Sequence, residues 1–237
     1  MGKIADETNY DKIADIYIPH AEDKLSWNNL YERPYMLSVF DDFSGKTILD
    51  AGCGTGFYSK YALEKKADVI AVDASQKMLD HLGKFDDSAK LKMYQADLAE
   101  GLPFIASGSI DYIICSLALH YLENWEVTIN EFYRVIKKSG KLYISTHHPF
   151  SDYLILKKKT YFDKYLVEDV WGSGKNSFKV FFYTRSLSQL LEPFIRSAFT
   201  IISLDEPLPN EECKRSAPEI FKKLRKQPAF LFLVLQK

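Results

Sequence analysis

Cysteine, glycine and net charge are all scarce in this chain of 237 residues, and each scarcity excludes something. The three cysteines, Cys53, Cys115 and Cys213, have neither metal-site nor redox spacing and read as reduced thiols in a reducing compartment. Lysine plus arginine (31) nearly cancels aspartate plus glutamate (32), leaving a formal charge of -1. A dedicated nucleic-acid binder usually shows a basic excess, so nucleic acid is not an expected partner. The longest apolar run, from Ile110 to Leu122, is too short for a bilayer and contains Asp111 and His120. "MGKIADETNY" is too charged for a secretory signal, and Asp6 spoils a myristoylation pattern. Repeats and low-complexity tracts are missing too. The expectation is a cytoplasmic globular protein with no membrane partner; nothing sets its oligomeric state.

What is present is alternation. Tyr10, Ile13, Ala14 and Tyr17 fall at helical spacing over residues ~9–18, and a second helix starts near Pro34 and closes at Ser44-Gly45. Then "TILDA", "DVIAVD", "LKMYQAD", "DYIICS" and "KLYIST" read as five strands separated by helices. Ser75 is placed to cap the helix carrying Met78, Leu79 and Leu82. The helix marked by Trp125, Ile129, Phe132 and Ile136 ends, on this reading, in Lys137 and Lys138 with Gly140 as its cap. "YFDKYLVEDVW" and "FKVFFYT", around Gly172-Ser173-Gly174, read as an antiparallel excursion. A helix over Leu187–Ala198 is expected to break at Pro193, and Ser216 with Glu219 forms a capping-box pattern. "FTIISL" and "AFLFLVL" supply two last strands. The alternation predicts a doubly wound, mostly parallel sheet.

Of only eleven glycines, three fall within five positions, in "ILDAGCGTGFYSKY". Gly52, Gly54 and Gly56 follow the first strand, on the edge of an open α/β sheet where ligands bind. Asp73 ends the second strand, where two carboxylate oxygens can accept from the two hydroxyls of a ribose. The spacing is G-x-G-x-G, with Phe57 at the third-glycine position of the dinucleotide fingerprint, and no Gly-Lys-Ser/Thr ending follows. A ribose ligand without pyrophosphate fits better.

"ILDAGCGTGFYS" resembles motif I of the class I S-adenosylmethionine-dependent methyltransferases, and "VIAVDAS" their second strand. "YQADLAEGLPF", "IDYIICSLALHYL" and "EFYRVIKKSGKLYIS" resemble the later segments in order and distance, covering residues ~46–146. The flanks "YERPYM", "STHHPF" and "PAFLFLVLQK" are similar to those of small-molecule members. The resemblance implies a Rossmann-like, seven-stranded sheet with the last strand antiparallel and helices on both faces. It implies one domain: a helical cap at 1–45, a cofactor core at 46–147, an insertion at 148–185 and sheet completion at 186–237. It also implies S-adenosylmethionine as cofactor, S-adenosylhomocysteine as product and a small-molecule acceptor.

Carried over by position, Gly52, Cys53, Gly54 and Gly56 would lie against the methionine part, with Cys53 a small filler. Asp50 would meet the amino group, through water. Asp73, with Ala74 beside it, would hold the ribose diol. Asp97 and the Leu98 amide would face adenine, with Met78 packed on it. Ser116 and Leu117 would wall the methyl side. Such a transfer requires alignment above all, and no metal.

His147, His148 and His120 lie at or near the ends of strands five and four and are the candidates for a base or for positioning the acceptor. Tyr10, Tyr17 and Tyr31 in the cap, with Phe150 and Trp171 in the insertion, are candidates for an enclosed, partly apolar acceptor site. The lysines at 157–159 and the basic residues of 214–226 read as solvated faces. Three other readings stay open: a noncatalytic cofactor-binding module, an RNA methyltransferase and a nicotinamide-dependent oxidoreductase.

Overall fold

The computed structural model describes residues 10–237 except 86–88, 158 and 173. Ser173 of the expected turn, Lys158 of the lysine run and the first nine residues therefore lie outside the described residues. The strands are β1 (Thr47–Ala51), β2 (Asp68–Asp73), β3 (Leu91–Gln95), β4 (Ile110–Ser116), β5 (Ile136–His147), β6 (Tyr165–Trp171), β7 (Phe178–Thr184), β8 (Thr200–Asp205) and β9 (Phe230–Gln236). Seven form one sheet in the order β3-β2-β1-β4-β5-β9-β8. The pairs from β3 to β5 are parallel, and β9 runs antiparallel to both β5 and β8. The order reverses between β1 and β4, and a crevice opens there at the strands' carboxyl ends.

The helices are α1 (Tyr10–Glu22), α2 (Arg33–Val39), α3 (Phe57–Glu64), α4 (Gln76–Gly83), α5 (Glu126–Val135), α6 (Pro149–Ile155), α7 (Leu187–Arg196), α8 (Glu211–Ser216) and α9 (Pro218–Leu224). A π-helical turn, Asn28–Glu32, leads into α2. Adjacent strand residues point to opposite faces, and both faces are covered. Leu49, Ile113 and Ile144 pack with Ile129 and Phe132 of α5 and Phe194 of α7. Ile48, Ile114 and Tyr143 pack with Met36 of α2, Tyr58 of α3 and Leu224 of α9. Burying each such side chain is worth roughly 1.5–3 kcal/mol. The β6–β7 hairpin is the expected antiparallel excursion, and its Phe178, Val180 and Phe182 pack on Ile13, Ile16 and Tyr17 of α1.

Three local expectations are corrected. Lys137, Lys138 and Gly140 do not close a helix: α5 ends at Val135 and the chain runs extended from Ile136 into β5. A Cβ at Gly140 would lie 2.7 Å from the Asp111 carbonyl oxygen, so this glycine serves close strand approach. Pro193 does not break α7, which runs through it. The helix loses one amide donor there, but a capping box of Ser186 and Gln189 starts it and Leu190 and Phe194 anchor its buried face. Ser216 does not cap the last helix: its hydroxyl donates to Glu212, and α9 opens with Pro218.

Candidate active site

The chain leaves β1 at Ala51 and turns through Gly52 and Gly56 with φ of 76° and 79°, conformations that L side chains avoid. The amides of Gly52 and Cys53 both donate to the Val72 carbonyl, tying the turn to β2. A Cβ at Gly52 would lie 2.5 Å from the Ala118 Cβ, and one at Gly56 would lie 2.4 Å from Leu82 Cδ1. Gly56 thus provides the close helix packing that the dinucleotide fingerprint assigns to the next position. At Gly54 a Cβ would meet nothing within 4 Å.

Asp73 holds this loop. Its Oδ2 accepts from the Gly54 amide at 2.8 Å and its Oδ1 from the Ser75 amide at 2.9 Å. Burial raises its pKa, against the pull of those amides. Each oxygen retains a second lone pair for a ligand. Asp97 caps the short turn Leu98–Glu100 through the Ala99 amide, 2.9 Å from its Oδ1.

These groups border a cavity of about 360 Å³, inside the ~300–1,000 Å³ range of small-molecule sites. Gly52, Cys53, Gly54, Asp73, Ala74 and Met78 line it, and so do Asp97, Leu98, Ser116 and Leu117. Asp50 and Gly56 do not: Asp50 is buried behind the loop, accepting from Ser59 Oγ at 2.6 Å, and burial pushes it up to about 7. Burial also pushes the Cys53 thiol up, away from nucleophilic chemistry.

Helix α1 covers the cavity with Tyr10 and Tyr17. Asp11 fixes that helix by accepting from Ser75 Oγ and the Lys77 amide. Tyr10 donates to the Tyr121 hydroxyl at 2.5 Å, and its ring meets Tyr17 edge-on at 4.7 Å. Burial raises the Tyr10 and Tyr121 phenols and pushes Tyr17 to about 12, so all three stay protonated near neutrality.

The other expected acceptor residues lie elsewhere. Tyr31 donates to the Pro207 carbonyl and packs on Phe230 and Phe232. Phe150 is half exposed, and Trp171 donates to Asp169 in the hairpin. Neither lines the cavity.

The histidines are brought together, but beside the cavity rather than on its wall. His120 and His147 stack at 4.0 Å between ring centroids. His120 is buried and His147 largely so; desolvation holds His147 at about 4 and His120 well below the usual imidazole range, so both are neutral. His147 Nδ1 lies 3.8 Å from Asp152. Neither His120 nitrogen has a hydrogen-bond partner among the described residues. His148 instead caps α6, its Nδ1 accepting from the Phe150 amide, and its Nε2 meets Glu206 at 2.5 Å. The hollow beside His120 and His147, about 10 Å³, is at the lower limit for one water. Among the described residues no three His, Cys, Asp or Glu side chains converge on a metal position.

Sequence reasoning missed Glu32, Arg33, Tyr58, Tyr121 and Tyr183, all on the cavity wall. The available signal was "YERPYM", a charged pair set in an apolar helix start.

Residues 49–144 match the family described as "Methyltransferase domain". A S-adenosylmethionine dependent methyltransferase structure from Mesorhizobium loti superposes with a TM-score of 0.72 at 24% identity, covering 90% of this chain and 100% of that one, which shows the fold. An uncharacterized protein of Haemophilus influenzae is 28% identical across 96% of this chain and 95% of its own. The malonyl-[acyl-carrier protein] O-methyltransferase of Hamiltonella defensa is 33% identical over 47% of this chain, which spans only 42% of that relative. Over residues 49–144 the chain is therefore similar to methyltransferase domains, and its fold is that of S-adenosylmethionine-dependent methyltransferase structures. S-adenosylmethionine fits the residues present: Asp73 has open lone pairs at the cavity wall, Gly54 bares main chain to the cavity, and Arg33 and Glu32 offer opposite charges beside the loop.

Proposed function

We propose that the chain transfers the methyl group of S-adenosylmethionine to a small, neutral or cationic acceptor by in-line displacement, in the cytoplasm. The observation that carries this is the charge of the cavity wall. Among the described residues its wall holds four carboxylates, Glu32, Asp73, Asp97 and Glu123, against one cation, Arg33; with all but Glu123 turned to the cofactor on this reading, Glu123 is the charge left to face the acceptor. An anionic acceptor would enter against that field, whereas an amine or neutral molecule would not. This argues against borrowing the malonyl acceptor named for the relatives, whose matches to this chain are partial.

The bound cofactor supplies an activated methyl whose leaving group departs neutral. The chain's own work is then alignment and exclusion of water, and proximity alone can be worth ~7–11 kcal/mol. On this reading Asp73 grips the ribose, Asp97 and the Leu98 amide face adenine, and Ala74 and Met78 pack on it. The Tyr10–Tyr17–Tyr121 cluster closes the acceptor side as an apolar, hydroxyl-bearing wall. His120 and His147 support that wall through Tyr121, whose ring packs tilted against His120 at 4.3 Å, rather than moving a proton. The three described cysteines are buried and free, in keeping with a reducing compartment.

The test is incubation with methyl-labelled cofactor and a fractionated metabolite extract. Label in a low-mass amine or neutral fraction supports the reading. Label confined to carboxylic acids or RNA, or no transfer at all, contradicts it; the last result with cofactor still bound would mark a noncatalytic module.

A further inference from the structure

Glu32 and Arg33 are neighbours at the junction of the π-helical turn with α2, and both line the cavity. Glu32 is 1% exposed. Its Oε1 accepts from Ser116 Oγ at 2.7 Å and Ser145 Oγ at 2.5 Å, and its Oε2 from the Tyr58 hydroxyl at 2.7 Å. These partners come from the end of β4, from β5 and from the first turn of α3, so the carboxylate sits where β4 meets the helix leaving the glycine loop. A carboxylate has about four lone-pair sites, so three hydroxyls leave one, on Oε2. The Arg33 guanidinium lies over the Phe57 ring, 4.1 Å from its centroid, at the start of the same helix. Among the described residues no ion pair joins either residue to a partner. Beyond the electrostatic pull of Arg33 and its three hydroxyl donors, the buried carboxylate has no ion-paired partner, which is costly alone and complements a ligand cation.

Asp50 cannot serve in its place. It lies off the cavity and is engaged by Ser59.

We propose that Glu32 and Arg33, not Asp50, read the zwitterion at the amino-acid end of the cofactor: Glu32 takes the ammonium and Arg33 the carboxylate. The assignment rests on the cofactor reading above. The two charges are opposite, adjacent and beside the loop that bares its main chain, which an α-amino acid requires and an adenine or a ribose does not. Arg33 suits the carboxylate because a planar guanidinium can donate two parallel hydrogen bonds.

The experiment is calorimetry on the full chain with S-adenosylhomocysteine and with 5′-methylthioadenosine, which keeps the nucleoside and thioether but lacks the amino acid. Glu32→Gln and Arg33→Met should each weaken S-adenosylhomocysteine about tenfold to a hundredfold, the loss of one charge-assisted contact, and leave methylthioadenosine within about twofold. Decarboxylated S-adenosylmethionine separates the roles: Arg33→Met should lose the wild type's preference for the carboxylated form, and Glu32→Gln should keep it. Should Glu32→Gln melt well below wild type, the Arg33→Met comparison decides alone. Parallel weakening of both nucleosides, or no change in either variant, would overturn the assignment while leaving the cofactor reading standing. Wild-type protein that binds neither nucleoside would overturn both.

Discussion

Two residues apart on β5, Ser145 and His147 serve opposite kinds of buried polarity. Ser145 joins the Glu32 cluster, where three hydroxyls donate to one carboxylate at the cavity wall. His147 joins a pair of stacked, neutral imidazoles beside the cavity, one of them with no hydrogen-bond partner among the described residues. The first arrangement stabilises a carboxylate with three hydroxyl donors. The second behaves as aromatic packing, with Phe182 edge-on to His147 at 4.6 Å. Position at a strand end therefore does not make a side chain part of the site; its partners decide.

The contrast breaks first at ligand affinity. Asp73→Ala should weaken S-adenosylhomocysteine ~1,000-fold, the loss of two charge-assisted contacts, whereas His147→Ala should stay within about twofold by calorimetry. Equal losses would erase the distinction.

Proton linkage gives the next two effects, of opposite sign. Asp50 titrates near 7 when folded and near 3.8 when unfolded, so it weakens the fold fully above pH 7 and progressively less as pH falls toward 3.8. Denaturant melts should find Asp50→Asn gaining on wild type by about 4 kcal/mol between pH 4 and pH 8. His147 is depressed from 6.5 to about 4, so its stabilising contribution is full above 6.5 and is lost as pH falls toward 4. His147→Phe should gain on wild type by about 3 kcal/mol on acidification across that window. A flat difference in either variant would show that the buried group does not titrate as its surroundings require.

The smallest effect separates two loop glycines. Gly56→Ala drives a Cβ to 2.4 Å from Leu82 and should cost about 2–3 kcal/mol in melts, against about 1 for Gly54→Ala, which meets no neighbour. Equal costs would mean that backbone strain alone governs the loop.

The glycine-loop side of the cavity was legible in the sequence because its geometry is local. Gly52, Gly54 and Asp73 occupy strand ends, and strand order alone carries them to one crevice. The rest of the cavity wall was not legible, because it is assembled across distant segments. Tyr10 finds Tyr121, and Glu32 finds Ser116 and Ser145, through tertiary packing that no spacing records. Tyr31 and Trp171 carry the same aromatic signal as Tyr10 and Tyr17, yet a carbonyl of Pro207 and the carboxylate of Asp169 claim them. The fold was misread where a glycine or proline has two uses: Gly140 permits close strand approach instead of capping a helix, and Pro193 rides inside one.

The most direct measurement is a crystal structure grown with S-adenosylhomocysteine. The account predicts the nucleoside in the 360 Å³ cavity, its two ribose hydroxyls on the Asp73 carboxylate and its amino-acid end beside Gly54. A well-ordered protein with that cavity empty at saturating ligand, or with the sugar bound away from Asp73, would contradict it.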